Sequence, residues 1–358
     1  VIKDVGRVLG IDLDTVSKIT KQFEINFGRV ESIDEAMKKP TLQWVKDDPN
    51  LDELLEYSLF LENKNKSTGT HAAGVVISPS AIADYAPLYR PEKSDKPQAL
   101  EIVTQYEMSC LEKTGLVKMD FLALKTLSII ERTLAMIQEN TGKTIDIEEI
   151  DYDDQKTFEL ISQGNTHSVF QFESSGMQEY LRQLKPHNLE ELAAMNALYR
   201  PGPLDNIPTF INRKHGREPI TYLHPIMEKS LKNTYGIIVY QEQVMQLARD
   251  LAGFSLGEAD VMRRAMGKKK QEEMEKLKPK FSNGCLKNDI PQKLAEEIFD
   301  LIAKFANYGF NKSHSMAYSY LAFQTAWLKT YYPAEFLASS MTAFMLKLDK
   351  LVPIINHS

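Results

Sequence analysis

Lys118 and Asp120 stand two residues apart in the stretch 115–122, Gly-Leu-Val-Lys-Met-Asp-Phe-Leu. Apolar Val117, Met119 and Phe121 alternate with them, which predicts a short buried strand. The alternation leaves the ammonium and the carboxylate on the opposite face, about 7 Å apart along the strand. Charges on a core strand are costly unless they are paired, hydrated or bound to a metal or phosphate. Two chemistries fit. One is a salt bridge at a sheet end. The other is a phosphate-and-metal site, with Asp120 holding a divalent ion and Lys118 facing an anionic substrate.

Further along the chain, other groups suit anionic ligands. His71 lies in the small-residue turn of 69–77, where Gly69 and Gly74 permit close backbone approach before a β-branched strand. Arg200 precedes Pro201 in a stiff turn, suited either to a phosphate contact or to bracing an interface. Arg263, Arg264 and Lys268 belong to a basic run that contains no acid over 263–270. Such cations complement a helix dipole, but the run reads better as a site for triphosphate or nucleic-acid backbone. Asn311, Lys312, Ser313 and His314 gather between two apolar helices, either to hold an anion or to satisfy helix ends.

The elements that must position these groups are mostly helical. Residues 1–66 read as helix throughout, with a capping box at Ser32 and Glu35 and Asp14 as an N-cap. This argues against a metal-binding role for Asp12 and Asp14. A compact α+β domain is expected over about 66–125, its strands lying in 69–77, 101–105 and 115–122. From Leu124 onward the periodicity is helical. Exceptions are an acidic, solvated linker at 145–155 and a strand-like run at 234–240. In 170–176 a capped helix start is at least as good an account as ligand contact. A second capping box falls at Ser255 and Glu258.

With 358 residues, two or three domains are expected. The net charge of −6 requires any nucleic-acid contact to come from local basic clusters. Two distant cysteines, Cys110 and Cys285, suit a reducing cytoplasm and form no zinc spacing. The apolar run 316–332 is interrupted by Gln324 and Lys329, so no membrane span is expected. The chain starts at Val1 in a helical pattern and reads as a fragment of something longer.

The order of the stretches 69–77, 115–124, 170–176, 197–203, 235–245, 259–270 and 305–318 resembles the bacterial replicative DNA polymerase III alpha subunit of the DnaE type, family C, across essentially the whole chain. The resemblance implies an α+β, mostly α-helical fold. A partial polymerase-beta-like palm sheet is flanked by a helical thumb and large helical fingers: thumb 1–65, second palm segment 66–126, fingers 127–358. It implies template-directed DNA polymerase activity, with two Mg²⁺ ions held by three palm aspartates. Asp120 matches the third aspartate and is the implied metal ligand; Lys118 matches the lysine beside it. The other two aspartates belong to a Pro-Asp-x-Asp-x-Asp stretch upstream of the position matching Val1, so this chain alone is expected to be inactive. Lys66, His71, Arg200, Arg263, Arg264 and Lys268 fall among the groups facing nucleotide or DNA, as does the 311–314 loop. Two residues depart from the family: Ala123 stands where glycine is usual, and Lys66 where arginine is usual, which weakens a bidentate phosphate contact there. Implied partners are primer-template DNA, dNTPs and, for the full-length parent, a sliding clamp and other replicase subunits, in the cytoplasm. A non-catalytic nucleic-acid or nucleotide-binding module is the competing reading. A metal phosphoesterase lacks the clustered His and Asp ligands it would need.

Overall fold

A computed structural model describes residues 1–23, 25–26, 29–71, 73–90, 102–267, 271–306 and 308–357. The chain divides into two compact units, Val1–Leu124 and Lys125–Ser358.

The first unit begins with helices α1 (Ile2–Val8) and α2 (Leu13–Thr20). They are followed by the hairpin β1 (Ile25–Asn26) and β2 (Arg29–Val30), then α3 (Ile33–Ala36), α4 (Gln43–Asp47) and α5 (Asp52–Leu61). Ile2, Val16, Ile19, Leu42, Val45 and Leu54 form its helical core. The expected run of unbroken helix is thus corrected by the hairpin. The cap of α2 is Asp12, not Asp14: its carboxylate accepts from Thr15 N–H at 2.8 Å. The helix starts at Leu13, and a capping carboxylate must precede the first turn to reach its unpaired N–H groups. Ser32 and Glu35 form the expected capping box on α3.

The rest of this unit holds β3 (Gly74–Ile77), β4 (Leu88–Tyr89), β5 (Val103–Thr104), α6 (Met108–Leu111) and β6 (Val117–Asp120). β4 pairs with β5, and β3 with β6, both antiparallel. Of the strand expected over 101–105, Val103–Thr104 is present, while Glu101 lies outside the described residues. β6 corrects the expectation of a buried strand. Val117, Met119 and Phe121 are 58%, 48% and 63% exposed. The small core of Ala86, Leu111 and Leu116 packs on Val76, which shares the other face of the ribbon with Lys118 and Asp120. Alternation set the two faces correctly, but a two-stranded ribbon needs a second layer to bury one.

The second unit is helical: α7 (Lys125–Thr141), α8 (Gln155–Ser162), α9 (Ser175–Leu184), α10 (Leu189–Leu198), α11 (Ile207–Lys214), α12 (Glu228–Leu231) and α13 (Gln241–Ala252). It continues with α14 (Leu256–Gly267), α15 (Gln271–Leu286), α16 (Gln292–Ala306), α17 (Lys312–Tyr331), α18 (Pro333–Phe344) and α19 (Leu348–His357). One core gathers Phe158, Phe172, Leu198, Phe210 and Phe323; a second gathers Leu247, Met262, Phe281 and Ile298; a third joins α7 to Leu328 and Phe336. The capping box of Ser255 and Glu258 is present, and Ser174 caps α9 by accepting from Met177 N–H at 3.3 Å. One expectation changes and another is refined. The strand-like run 234–240 forms no strand beyond a single bridge from Tyr240 to Phe310. Its backbone is satisfied instead by a side chain, Gln243 Oε1 accepting from the N–H groups of Val239 and Tyr240 at 2.8 and 2.9 Å. The 145–155 linker is solvated on its acidic side, with Asp146, Glu148, Glu149, Asp151 and Asp153 exposed, but it is also anchored: Ile147, Ile150 and Tyr152 rest against the helical cores, and Gln324 donates to Tyr152 Oη at 2.9 Å.

Candidate active site

In the first unit, the register sets Gly74 opposite Asp120 and Val76 opposite Lys118. Directly opposed residues of an antiparallel pair project to the same side. Lys118 Nζ therefore lies over the ribbon and contacts both carboxylate oxygens of Asp120, at 2.9 and 3.1 Å. His71 Nδ1 stands 3.8 Å from Asp120 Oδ1. The same nitrogen accepts from Ala73 N–H at 3.2 Å, which leaves Nε2 as the proton-bearing nitrogen of the neutral ring. Gly74 makes room for the group. A Cβ there would meet Lys118 Cε at 2.8 Å, His71 Nδ1 at 3.0 Å and Asp120 Oδ1 at 3.2 Å.

Lys118, by hydrogen bond and by charge, holds the Asp120 carboxyl below the usual carboxylate range against partial desolvation. Asp120 is thus an anionic group at neutral pH, with a cation positioned beside it. Lys66 joins no bond of this cluster; its Nζ is held by Asp4 at 2.7 Å.

In the second unit, two separate stretches, 200–202 and 241–242, converge on the residues before α17. Arg200 Nε donates to Ala197 O at 2.8 Å, its Nη2 donates to Tyr308 O at 2.7 Å, and its guanidinium lies 4.3 Å above the Phe310 ring. Burial pushes its pKa down. Of the two roles open to Arg200, these bonds serve the brace. Gly202, at φ +105°, lets the turn pass so close to Tyr308 that a Cβ would stand 2.3 Å from its ring. Gln241 Nε2 donates to Gly309 O at 3.1 Å, and Gln241 Oε1 accepts from Arg263 Nη1 at 3.2 Å.

Asn311 caps α17, accepting from His314 N–H at 2.8 Å, and donates to Glu242 Oε1 at 3.1 Å. Glu242 Oε2 accepts from Lys312 N–H at 3.0 Å. A carboxylate of α13 thereby occupies the positive end of α17, where an anion is favoured. Lys312 Nζ bonds Glu190 at 2.9 Å. The His314 ring stacks on Tyr318 at 4.2 Å, and Ser313 is exposed.

Arg263 and Arg264 both bind Asp260, one turn earlier on α14. The run 263–270 itself holds no acid, but Asp260 lies just outside it in sequence and at helical spacing from both arginines. The spacing of Asp260 was visible in the sequence. Gln241, Glu242 and Glu190 carried no such signal. Lys268 lies outside the described residues.

Comparison with known proteins defines the class. A family model for the bacterial DNA polymerase III alpha NTPase domain matches residues 1–123, and one for the bacterial DNA polymerase III alpha subunit finger domain matches residues 126–289. The chain is 46% identical over 353 residues to DNA polymerase III subunit alpha of Caulobacter vibrioides, covering 98% of this chain and 30% of that protein. It is 44% identical over 364 residues to the subunit of Thermus aquaticus, covering 100% and 29%. The chain belongs to the bacterial DNA polymerase III alpha subunit family, and it spans about 30% of the length of the curated relatives it matches.

Proposed function

We propose that this chain is the thumb (1–65), second palm segment (66–126) and fingers (127–358) of a template-directed DNA polymerase. The polymerase transfers a nucleotidyl group from a dNTP to a primer 3′-hydroxyl. The observation that carries the reading is the ionised Asp120, backed by Lys118 on the face that Gly74 leaves open. The exposed apolar face of Val117, Met119 and Phe121 supports it, being a surface that a larger palm would cover.

Asp120 suits a hard divalent cation, as an exposed and ionised carboxylate. Among the described residues, no group of three or more His, Cys, Asp or Glu side chains could hold a metal. Asp120 would therefore supply one ligand to a Mg²⁺ pair, the remainder coming from the two upstream aspartates and from substrate phosphates. Bound there, the ions would activate the primer hydroxyl and offset charge on the departing pyrophosphate. Lys118 holds Asp120 in place and presents its ammonium to the anionic substrate. In the fingers, Arg264 and the 311–314 loop face the nucleotide or template, a role that the family resemblance extends to Lys268. His71 borders the palm cluster, and Lys66 stands toward DNA. The partners proposed for the full-length protein are primer-template DNA, dNTPs, a sliding clamp and other replicase subunits, in the cytoplasm. No described helix is long and apolar enough to cross a membrane.

One carboxylate cannot position two ions, so the 358-residue chain should not extend a primer. Adding the upstream palm segment should restore extension, and Asp120→Asn in that longer protein should abolish it. Extension by the chain alone would refute the reading. Salt-sensitive DNA binding that survives Asp120→Asn, without rescue by the upstream segment, would favour a non-catalytic binding module.

A further inference from the structure

Asp260 takes one guanidinium on each of its oxygens. Oδ1 accepts from Arg263 Nε and Nη2 at 2.9 and 2.7 Å, and Oδ2 accepts from Arg264 Nε at 2.7 Å and from its Nη2. Spacings of three and four residues bring both arginines over the same turn of α14. Their situations then diverge. Arg263 also donates through Nη1 to Gln241, which in turn holds Gly309 O, so its guanidinium is spent on tying α14 to the residues before α17. Its side chain is 32% exposed. That of Arg264 is 63% exposed, and Asp260 grips only the Nε and Nη2 edge. A guanidinium has a second bidentate edge, Nη1 and Nη2, of the shape that takes a phosphate.

From this geometry we infer that Asp260 is a positioning residue. It fixes Arg264 as the cation presented to an incoming triphosphate, while Arg263 is the tie between α14 and the loop. The inference rests on the proposal that this part of the fingers meets the nucleotide. The bond from Asp260 to Arg263 serves the tie, but a pair with the exposed Arg264 on the same helix contributes little to stability, so that second bond is not accounted for by folding. What it supplies is order: a long, flexible arginine is already in one rotamer when the ligand arrives, and less freedom is lost on binding. One carboxylate between two cations still leaves the group net positive. The two guanidiniums hold the Asp260 carboxyl below its ordinary range, so the arrangement persists at neutral pH.

The test uses the full-length polymerase containing this segment, with steady-state kinetics of dNTP addition on a primed template. Asp260→Asn and Arg264→Ala should each raise the dNTP KM about tenfold, leaving kcat and primer-template affinity little changed. The double variant should be no worse than Arg264→Ala alone, because the carboxylate acts through that arginine. Asp260→Glu, which keeps the charge, should fall between wild type and Asp260→Asn. An unchanged or lowered KM for Asp260→Asn would overturn the inference, a lowered one marking the carboxylate as a competitor of the triphosphate. Additive losses in the double variant would overturn it as well. If Arg264→Ala itself leaves the KM unchanged, the nucleotide-facing reading of this helix has failed, and the inference falls with it.

Discussion

At the scale of single residues, Gly74 decides what the Lys118–Asp120 cluster can be. The sequence reading assigns the glycines of 69–77 to close backbone approach by a ligand. The structure gives this one a different office: it empties the space that Lys118, His71 and Asp120 fill. The nearest atom to a new Cβ, Lys118 Cε at 2.8 Å, belongs to a flexible side chain, so Gly74→Ala should fold by pushing that lysine aside. We expect the melting temperature to move by only a few degrees, as for a change of about 1 kcal/mol. On the proposed polymerase reading, primer extension by the full-length protein should fall on the order of tenfold or more, because misplacing groups that take part in a reaction is costly. Wild-type extension rates from the alanine variant would show that the cluster's spacing is irrelevant to the reaction. The Lys118–Asp120 pair itself was legible two residues apart on one strand. The room it needs was not, since Gly74 faces it only through the ribbon's register.

Among the elements, the start of α17 shows how capping and long-range contact are combined in one side chain. Asn311 Oδ1 caps the helix, while its Nδ2 donates to Glu242 on α13. Asn311→Ala removes both bonds and should destabilise the protein by about 1–2 kcal/mol, read from chemical denaturation. Asn311→Asp preserves the capping oxygen but loses the donor and sets a second carboxylate beside Glu242. It should therefore rescue little. Full recovery by the aspartate would mean that the cap alone matters and that the bond to α13 contributes nothing. The donor cluster of 311–314 was plain in the sequence, as was its competing role at a helix end. Only the fold shows that a carboxylate from about seventy residues away already sits at that helix end.

For the whole molecule, Lys329 links stability to pH. It is buried on α17, donates to His167 O at 2.9 Å and meets His357 Nε2 at 2.9 Å. The two histidine rings lie 4.2 Å apart. Burial pushes the Lys329 pKa down to about 8. Burial, and then the Lys329 charge, lowers His167 and His357 as well. A base depressed in the fold binds fewer protons there than in the unfolded chain, so stability rises with pH across the interval between its two pKa values. For Lys329 the interval opens near pH 8 and runs toward the ordinary lysine value. For the histidines, stability is lost as pH falls below their ordinary value. The full-length protein should therefore gain melting temperature from pH 8 to about 10 relative to Lys329→Met, which has no titrating amine. Identical pH profiles for the two proteins would remove Lys329 as the cause. The interruption of an apolar run by Lys329 was visible in the sequence, but its histidine partners were not.

The sequence by itself determined the mostly helical character, the capping boxes at Ser32 and Ser255, the two faces of the Lys118 strand and the family. All of these rest on spacings of a few residues, over which periodicity and capping act, or on the order of motifs along the chain. The tertiary structure alone decided that Arg200 reaches Tyr308, that Lys312 reaches Glu190, and which face of the ribbon is covered. Those pairings join residues more than a hundred positions apart, or depend on whether a second layer is present. Helix-scale rules cannot supply them, because such contacts form only when separate cores have packed and set their loops side by side.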